Sequence, residues 1–272
     1  MRPQVSVVIP VCDEGAAIVG CLDRILRDVT LPAEILVVYD RPQDTTVPYA
    51  DQVAARDARV RTVLNTHGPG PAQAIRFGID AAVAPVVAVT MADGSDDTRQ
   101  IDDLTRLVER GVVVAAASRY MPGGQQVGGP RLKRMLSRCA GRSLYRLAGA
   151  GTRDATNNFK AYSAEFVRAV GIEARTGFEI GLELTAKATR LRLPVAELPT
   201  IWLDRRLGES RFDLGRFLPG YLRWYLFAFG RPLTAEALAT RRRRRADTGP
   251  VSGPRSPAPA EDAELLGHTS SR

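Results

Sequence analysis

The segment Val5-Ser-Val-Val-Ile-Pro-Val-Cys-Asp-Glu14 decides the fold class, because a short apolar run passes directly into acidic residues. β-Branched side chains dominate its first five positions, which is typical of a strand buried on both faces. Residues 16–29 then show apolar side chains at helical spacing. A buried strand followed by a helix is the repeating unit of a parallel sheet covered by helices. We therefore expect functional residues where this strand ends, in residues 10–14.

The same alternation of strand and helix continues through the first 120 residues. Apolar runs predict further strands at 35–38, 60–64, 86–91 and 112–117, and helical spacing predicts a helix at 72–83. The strands lead into segments rich in Gly, Pro, Asp or Ser, at 39–44, 67–70, 91–97 and 118–124. In an open α/β sheet such strand ends form the ligand-binding edge. The prediction is an α/β fold with a mostly parallel central sheet flanked by helices.

The composition argues against several classes of protein. The 272 residues are 44% hydrophobic and 25% charged, which is typical of a globular chain long enough to bury its own core. Three cysteines without a paired pattern and two distant histidines argue against a disulfide scaffold and a structural zinc site. The N-terminal segment is interpreted as a strand and not as a signal peptide, so a cytoplasmic location is expected.

The second half of the chain is predicted to complete one globular domain over residues 1–230. Its patterns indicate a basic helix at 132–147, a short strand at 159–162, a helix at 179–191 and a strand at 195–202. Residues 231–272 contain five consecutive arginines and are otherwise rich in Pro, Ser and Ala. They are predicted to form a disordered tail.

Six short motifs occur in order along the strand ends and loops. They are Pro10-Val-Cys-Asp-Glu14, Tyr39-Asp40 with Asp44-Thr45, Met91-Ala-Asp-Gly-Ser-Asp-Asp97, Ser118-Arg-Tyr-Met-Pro-Gly-Gly124, Asp154-Ala-Thr-Asn-Asn-Phe-Lys-Ala-Tyr162 and Arg205-Arg-Leu-Gly-Glu-Ser210. Together they resemble the inverting glycosyltransferases of family 2, in particular the dolichyl- or polyprenyl-phosphate mannose synthase branch. The resemblance covers residues 4–230. It implies a GT-A fold and transfer of a sugar from a nucleotide diphosphate, such as GDP-mannose or UDP-glucose, to a polyprenyl phosphate with inversion.

The resemblance assigns the nucleotide-sugar side of the site to the first strand ends and to two later segments. The matching positions are Pro10, Val11, Asp13, Glu14, Val38, Asp40, Ala92, Asp93, Lys187, Arg205 and Arg211. Carboxylates at strand ends suit ribose hydroxyls and the edge of a base, and the two arginines flank a segment that in the family closes over the diphosphate. Alternatives stay open: Asp13 and Glu14 also suit a helix N-terminus, and Lys187 also suits a solvated helix surface.

A divalent cation, Mg²⁺ or Mn²⁺, is implied because the leaving diphosphate needs its charge neutralised. The family pattern is Asp-x-Asp at a strand end, but here Met91 occupies the first position and Asp93 matches the second. Ser95 falls where an amide ligand is common, so Asp93 and Ser95 are the predicted metal ligands. Asp97 precedes Gln100 by three residues and is interpreted as a helix cap.

The acceptor phosphate is assigned to a basic group after the fifth strand. Arg119 ends that strand, and Lys133, Arg134 and Ser137 lie at turn spacing on one face of the next helix. Converging cationic donors suit a phosphate dianion; an exposed basic helix is the alternative, and Lys133 and Arg134 match the family equally well. A lipid phosphate is already anionic near neutral pH, so no general base is predicted. The predicted catalytic residues are Asp93, Arg119 and Arg205, which act through charge and positioning.

The aromatic segment 214–230 is predicted to meet the membrane that holds a polyprenyl acceptor. It is too short to cross a bilayer as a helix, so we expect it in the interface, with Tyr221, Trp224 and Tyr225 at headgroup depth. The arginine run is expected to attract anionic lipid, which places the protein peripherally on the inner face of the membrane. A helix packed in the protein core is the alternative. No nucleic-acid partner is predicted, because the arginines lack interleaved aromatic residues.

Two other functions stay open from the sequence. A family 2 transferase with a soluble hydroxyl acceptor would need a carboxylate base near the sugar, for which Asp96 is a candidate. A nucleotide-sugar-binding module without activity would follow if Met91 has abolished the metal site. Incubation of each common donor with each acceptor, with and without a chelator, separates the three functions.

Overall fold

The computed structural model describes residues 2–175, 177–204 and 214–247 of the chain. Two compact units divide the chain, residues 1–235 and 236–272. The first unit contains the whole central sheet. Its end lies five residues beyond the predicted domain end at residue 230, and the assignment of domains stays a prediction.

The centre of the first unit is a seven-stranded sheet. Its strands are β1 (Val5–Val11), β2 (Ala33–Tyr39), β3 (Val60–Leu64), β4 (Val86–Val89), β5 (Val114–Ser118), β7 (Lys160–Ser163) and β8 (Val195–Pro199). They are arranged in the order β3-β2-β1-β4-β7-β5-β8. All neighbours are parallel except β7, which runs antiparallel to both β4 and β5. The mostly parallel sheet predicted from the sequence is confirmed.

The antiparallel strand β7 is the feature of this sheet that the sequence did not indicate. Its residue Lys160 pairs with Val89 of β4 on one side and with Ala116 of β5 on the other. A buried strand shows the same short apolar pattern whichever way it runs, so the pattern predicts the strand and not its direction. This direction matters for the site, because it places residues 160–163 between β4 and β5 in the sheet.

Helices cover both faces of the sheet. The helices of the first unit are α1 (Ala17–Asp28), α2 (Val47–Ala54), α3 (Pro71–Ala81), α4 (Ile101–Glu109), α5 (Arg131–Ser143), α6 (Ala164–Val170), α7 (Ile180–Arg190) and α8 (Leu214–Ala228). A further helix, α9 (Ala235–Asp247), belongs to the second unit except for its first residue. Every residue of β1 is buried: alternate side chains such as Val7 join a core cluster with α1 and α4, while Val8 faces α3. A Cβ at Gly78 of α3 would lie 2.4 Å from the Val8 side chain, so the glycine allows the close approach of this helix.

A second, two-stranded sheet begins near the end of the strand predicted at 195–202, which the structure divides into two strands. β6 (Gln125–Val127) pairs in parallel with β9 (Ile201–Leu203), which follows β8 after one residue. The backbone N–H of Leu203 donates to the carbonyl oxygen of Ser95 at 3.2 Å. This small sheet therefore connects the loop after β4 with the segment that leads into α5.

The C-terminal helices differ in part from the sequence predictions. α5 ends at Ser143 and continues as a π-helical turn, Leu144–Ala148, which stops at Gly149 in the left-handed conformation. α8 buries Trp224 and Ala228 in a cluster with Leu182, so the core-helix alternative holds for that face. α9 occupies the first part of the predicted tail, and the tail beyond residue 247 lies outside the described residues. Within the described part of the chain, none of the helices combines the length and apolar character that a bilayer span requires.

Candidate active site

The loops after β1 and β2 are fastened to each other at the carboxyl edge of the sheet. The backbone N–H of Asp13 donates to the Asp44 carboxylate at 3.1 Å, and that of Glu14 donates to Thr46 Oγ1 at 2.9 Å. Asp13 has a φ of 54°, and its own carboxylate accepts from Arg41 and from the N–H of Thr45. Asp13 thus joins the two loops, which leaves its nucleotide contact a prediction.

Asp40 holds the glycine turn that precedes α3. Its two carboxylate oxygens accept from Asn65 Nδ2 at 2.8 Å and from the N–H of Gly70 at 2.7 Å. Gly70, the residue before α3, has a φ of 109°, which only glycine adopts without strain. Asp40 remains half-buried at the rim of the sheet, so it positions this turn and can also face a ribose.

Four predicted nucleotide residues have side chains that the fold buries. Pro10, Val11, Val38 and Ala92 belong to or follow the buried central strands. Val38 packs against α3, where a Cβ at Gly78 would lie 3.0 Å from it. The structure therefore buries these four residues, and their contact with a nucleotide stays a prediction.

The loop after β4 holds two carboxylates of different character. Asp93 is half-buried, and its Oδ1 accepts from the N–H of Ser95 at 3.0 Å. Asp96 is buried and accepts from Thr90 Oγ1 at 2.9 Å and from the N–H of Met91 at 3.2 Å. Burial, together with the neighbouring charge of Asp93, raises the pKa of Asp96 to about 6. Asp93 is therefore the carboxylate of this loop that is better placed for a ligand.

The capping role predicted for Asp97 is confirmed. Its side chain accepts from the N–H of Arg99 and caps the 3₁₀ turn Thr98–Gln100 that leads into α4. Ion pairing with Arg99 also lowers the pKa of Asp97. The side chain of Gln100 donates instead to the carbonyl oxygen of Pro199 at 2.5 Å. Asp97 is thus engaged at the helix start and does not add to the metal ligands.

The residues around Asp93 fit a divalent ion that takes most of its ligands from substrate. Within the described residues, no group of three or more His, Cys, Asp or Glu side chains could hold a metal. The hydroxyl of Ser95 is buried and has no hydrogen-bond partner among the described residues. One carboxylate and one hydroxyl suit Mg²⁺ or Mn²⁺, which commonly bind one or two protein ligands together with substrate phosphates.

Arg24 is a residue of this loop region that the sequence did not single out. It extends from α1 beneath the turn at Gly94, where a Cβ would lie 2.0 Å from Arg24 Nη2. Gly94 has a φ of 69°, so the backbone favours glycine at this position. The guanidinium of Arg24 lies against this turn of the Asp93 loop.

Arg119 is held in place by a fully buried carboxylate. Its Nε and Nη2 donate to the two oxygens of Asp154 at 2.7 and 2.9 Å, and its backbone N–H donates to the same carboxylate at 3.0 Å. Burial alone would raise the pKa of Asp154, but the charge and hydrogen bonds of Arg119 outweigh it and hold that pKa below its usual value. Within the described residues, no hydrogen bond uses Nη1 of Arg119. The pairing fixes the guanidinium and leaves one nitrogen for a ligand.

The other predicted acceptor residues gather beside Arg119. Ser137 Oγ lies 3.5 Å from Arg119 Nη2 and 2.6 Å from Thr156 Oγ1. Lys133 and Arg134 are half-buried one helical turn earlier on α5. The structure therefore brings Arg119 and Ser137 together as predicted, and it places Lys133 and Arg134 on the same side of the helix.

The donor and acceptor sides are adjacent. The positive charge of Arg119 acts on Asp96, lowering its pKa against the larger effect of burial. Asp96 is three residues from Asp93, so Asp96 links the predicted metal loop to the predicted phosphate site. The loop that carries Asp93 and the group around Arg119 thus lie near each other, and the binding of a diphosphate beside a second phosphate stays a prediction.

The assignment of Lys187 to the diphosphate is wrong. Its side chain is fully buried, and Nζ lies 2.6 Å from Glu183 and 3.2 Å from Glu173, below the ring of Trp224. The alternative of a solvated helix lysine is wrong for the same reason. Lys187 forms ion pairs with Glu183 of its own helix and with Glu173 before that helix, and its full burial keeps it from a ligand. Arg205 and Arg211 lie outside the described residues.

Comparison with known proteins matches this chain to one family. The family model "Glycosyl transferase family 2" matches residues 6–171. An undecaprenyl-phosphate mannosyltransferase of Micrococcus luteus is 31% identical over 236 residues, which cover 83% of this chain and 95% of the relative. A polyprenol monophosphomannose synthase of Mycolicibacterium smegmatis is 31% identical over 185 residues, which cover 66% and 70%.

Solved structures share the fold. Glucosyl-3-phosphoglycerate synthase of Mycobacterium tuberculosis, crystallised with Mn²⁺, UDP and glucosyl-3-phosphoglycerate, superposes with a TM-score of 0.64 at 17% identity. The match covers 85% of this chain and 81% of that one. At this identity the likeness shows the fold alone, and the GT-A-like architecture implied by the sequence resemblance is confirmed.

Proposed function

The chain belongs to glycosyl transferase family 2 and is an enzyme, and from this premise we propose that it transfers a sugar from a nucleotide diphosphate to a polyprenyl phosphate with inversion. The donor is of the GDP-mannose or UDP-glucose type. The acceptor class follows the relatives, whose names state mannosyl transfer to undecaprenyl or polyprenol phosphate. The observation that carries the proposal is the Arg119–Asp154 pair beside Ser137, adjacent to the Asp93 loop.

The acceptor side is built to orient a phosphate. Asp154 accepts from Nε and Nη2 along one edge of the Arg119 guanidinium, and the hydroxyl of Ser137 lies 3.5 Å from Nη2. Lys133 and Arg134 add positive charge from α5. A phosphate oxygen fixed by these groups attacks the anomeric carbon in line with the leaving diphosphate, so no residue has to remove a proton.

The donor side is built to hold a nucleotide and its diphosphate. Asp40 at the rim and the main chain of residues 10–14 face the nucleoside. Asp93 and Ser95 would hold Mg²⁺ or Mn²⁺, which neutralises the charge that develops on the leaving diphosphate. The guanidinium of Arg24 lies against Gly94 in the loop that carries Asp93.

The acceptor is a membrane lipid, so we also propose peripheral attachment to an anionic inner membrane surface. On α8, Leu218, Leu222 and Leu226 are half or more exposed at helical spacing, while Trp224 on the opposite face is only 2% exposed. Of the three aromatic residues expected at headgroup depth, Trp224 lies in the core, and Tyr221 and Tyr225 pack against the same cluster. The leucines form the outer face of the helix.

α5 presents a similar surface. Leu132, Met135 and Leu136 are exposed on the helix that also carries Ser137 and several arginines. Apolar side chains flanked by arginines are the pattern by which a helix lies on an anionic bilayer. The same helix would then contact both the lipid surface and the phosphate.

An activity screen tests the proposed function. The full chain is incubated with labelled GDP-mannose or UDP-glucose, Mg²⁺ or Mn²⁺, and either polyprenyl phosphate or soluble sugar acceptors, with EDTA in parallel. Label in a butanol-extractable lipid, lost on chelation, supports the proposal. Label in soluble products alone supports a hydroxyl acceptor with Asp96 as the candidate base, and donor binding without turnover supports an inactive binding module.

A further inference from the structure

Lys160 is a fully buried lysine that the proposed mechanism does not use. It is the first residue of β7, between β4 and β5 in the middle of the sheet. Its side chain is not exposed at all. Nζ donates to the carbonyl oxygens of Ala155, at 3.1 Å, and of Asn157. Burying an ammonium group this deeply costs folding free energy unless hydrogen bonds and an opposite charge compensate for its lost hydration.

The two carbonyl groups belong to the loop that builds the acceptor site. Residues 154–158 of this loop contribute Asp154, which clamps Arg119, and Thr156, which contacts the hydroxyl of Ser137. α7 packs closely over it: a Cβ at Gly181 would lie 3.2 Å from Lys160 Nζ. Lys160 therefore holds the 154–158 loop in place by hydrogen bonds to its carbonyl groups. The same loop orients Arg119 through Asp154 and contacts Ser137 through Thr156.

The charge of Lys160 bears on the same cluster. Arg119 and Asp154 form a pair whose charges cancel, so the pair alone attracts an anion weakly. Asp154 also interacts with Lys160. While Lys160 is protonated, two cations interact with the Asp154 carboxylate, so the cluster is more positive by one charge than it would be without Lys160.

None of the neighbouring ionisable groups described next supplies a positive charge in place of Lys160. Asp96, which is bonded to Thr90 and Met91, acts on Arg119 and adds a negative charge above its pKa of about 6, in wild type and variants alike. Glu183 on α7 lies 2.6 Å from Lys187, and Glu179 at the start of α7 acts on Tyr221. Tyr162, on the same strand as Lys160, is buried, which raises its pKa and keeps it neutral.

We propose that Lys160 is a positioning residue for the acceptor phosphate. Lys160 holds the 154–158 loop in place through hydrogen bonds, and its positive charge offsets the negative charge of Asp154 beside Arg119. The proposal rests on the acceptor site at Arg119 described above. Burial lowers the pKa of Lys160 to about 7 despite the opposing effect of Asp154. The supporting charge is thus present below neutral pH and is lost as the pH rises through about 7.

The test compares wild type, Lys160→Met and Lys160→Arg in the full chain. Initial rates give kcat and the KM of each substrate at about pH 6 and about pH 8.5, which bracket the pKa. At the lower pH, Lys160→Met should raise the KM for polyprenyl phosphate about tenfold, because the variant loses both the positive charge and the hydrogen bonds to the loop. At the higher pH this ratio to wild type should be clearly smaller, because wild-type Lys160 is then neutral and the variant loses only the hydrogen bonds.

Lys160→Arg keeps the charge at both pH values and supplies the independent measurement. Ionisation of the acceptor phosphate affects every variant alike, so it cancels in ratios to wild type. We expect Lys160→Arg to hold acceptor affinity above that of wild type at the higher pH. This comparison also decides the matter if Lys160→Met does not fold. Lys187→Met, the matched buried lysine, should leave the ratio of acceptor KM independent of pH.

Several results would overturn the inference. They are an unchanged acceptor KM in Lys160→Met, a loss of the same size at both pH values, an equal rise in the KM of the nucleotide sugar, or a Lys160→Arg profile identical to that of wild type. Failure of the proposed function looks different, because wild type itself then transfers no sugar to polyprenyl phosphate.

Discussion

The two flanks of the site hold their charged groups in different ways. On the donor flank, Asp40 and Asp93 are half-buried and accept hydrogen bonds largely from backbone N–H groups of nearby loops. On the acceptor flank, Arg119 is bound by a side chain 35 residues away that has no exposure at all. The donor flank is thus a set of strand ends, whereas the acceptor flank is a charge pair assembled across the sheet.

The difference predicts how each flank responds to substitution. Removing a half-buried carboxylate of the donor flank costs less stability than breaking a fully buried pair, so its loss should affect ligand binding more than folding. A buried pair leaves an uncompensated charge when one partner is removed, at a cost of about 3–5 kcal/mol. Substitutions on the acceptor flank should therefore change both stability and transfer.

The largest effect is expected for Arg119→Ala. The catalytic efficiency with polyprenyl phosphate should fall by about a thousandfold, because a preorganised charge beside the reacting phosphate is lost. The KM of the nucleotide sugar should change little. Steady-state kinetics and a melting curve check both statements.

Arg153→Ala is the matched control for that substitution. Arg153 is also ion-paired, with Glu197, and lies over Tyr145, so it shares the chemistry of Arg119 without its place beside Ser137. It should keep the wild-type kinetics. A similar loss of transfer in both variants would mean that stability, and not acceptor binding, explains the Arg119 effect.

A smaller effect, about a hundredfold in kcat, is expected for Asp93→Asn on the donor flank. The carboxylate that holds the divalent ion is lost, so activity should need higher Mn²⁺ concentrations, while the unfolding midpoint stays near wild type. Titration of activity with Mn²⁺ measures this. Asp97→Asn is the control, and equal dependence on Mn²⁺ in both variants would remove Asp93 from the metal site.

Lys187→Met should change stability without changing either flank. It leaves Glu183 and Glu173 facing each other without their shared cation, and about 3 kcal/mol of unfolding free energy should be lost. Urea denaturation measures the loss, and Glu183→Gln in the same chain should restore part of it. A raised KM for the nucleotide sugar would return Lys187 to the donor flank.

The smallest effect concerns the leucine face of α8. Replacing Leu222 and Leu226 with Gln should lower sedimentation with anionic liposomes several-fold, since each buried leucine contributes about 1.5–3 kcal/mol to an apolar contact. Transfer to detergent-solubilised acceptor should persist. Val83→Gln is the control, because Val83 is 65% exposed on α3's connection to β4. Unchanged sedimentation in the leucine variant would exclude docking through this face.

Much of the fold could be predicted because its signals are local. β1 and β2 are continuous β-branched runs, and their burial on both faces follows from that pattern. The capping role of Asp97 follows from its position before a helix. The direction of β7 and the pairing of β6 with β9 could not be predicted, because they depend on which distant segments meet.

The sequence by itself determined the family, the mostly parallel sheet and the strand ends at which Asp40, Asp93 and Arg119 occur. Only the tertiary structure decided which charged groups meet. Three basic side chains have different partners. Arg119 pairs with Asp154, Lys160 donates to the loop that carries Asp154, and Lys187 pairs with Glu183 near the ring of Trp224. The physical reason is that periodicity and spacing encode burial and local conformation, whereas the partner of a buried charge is set by how strands far apart in the chain pack together.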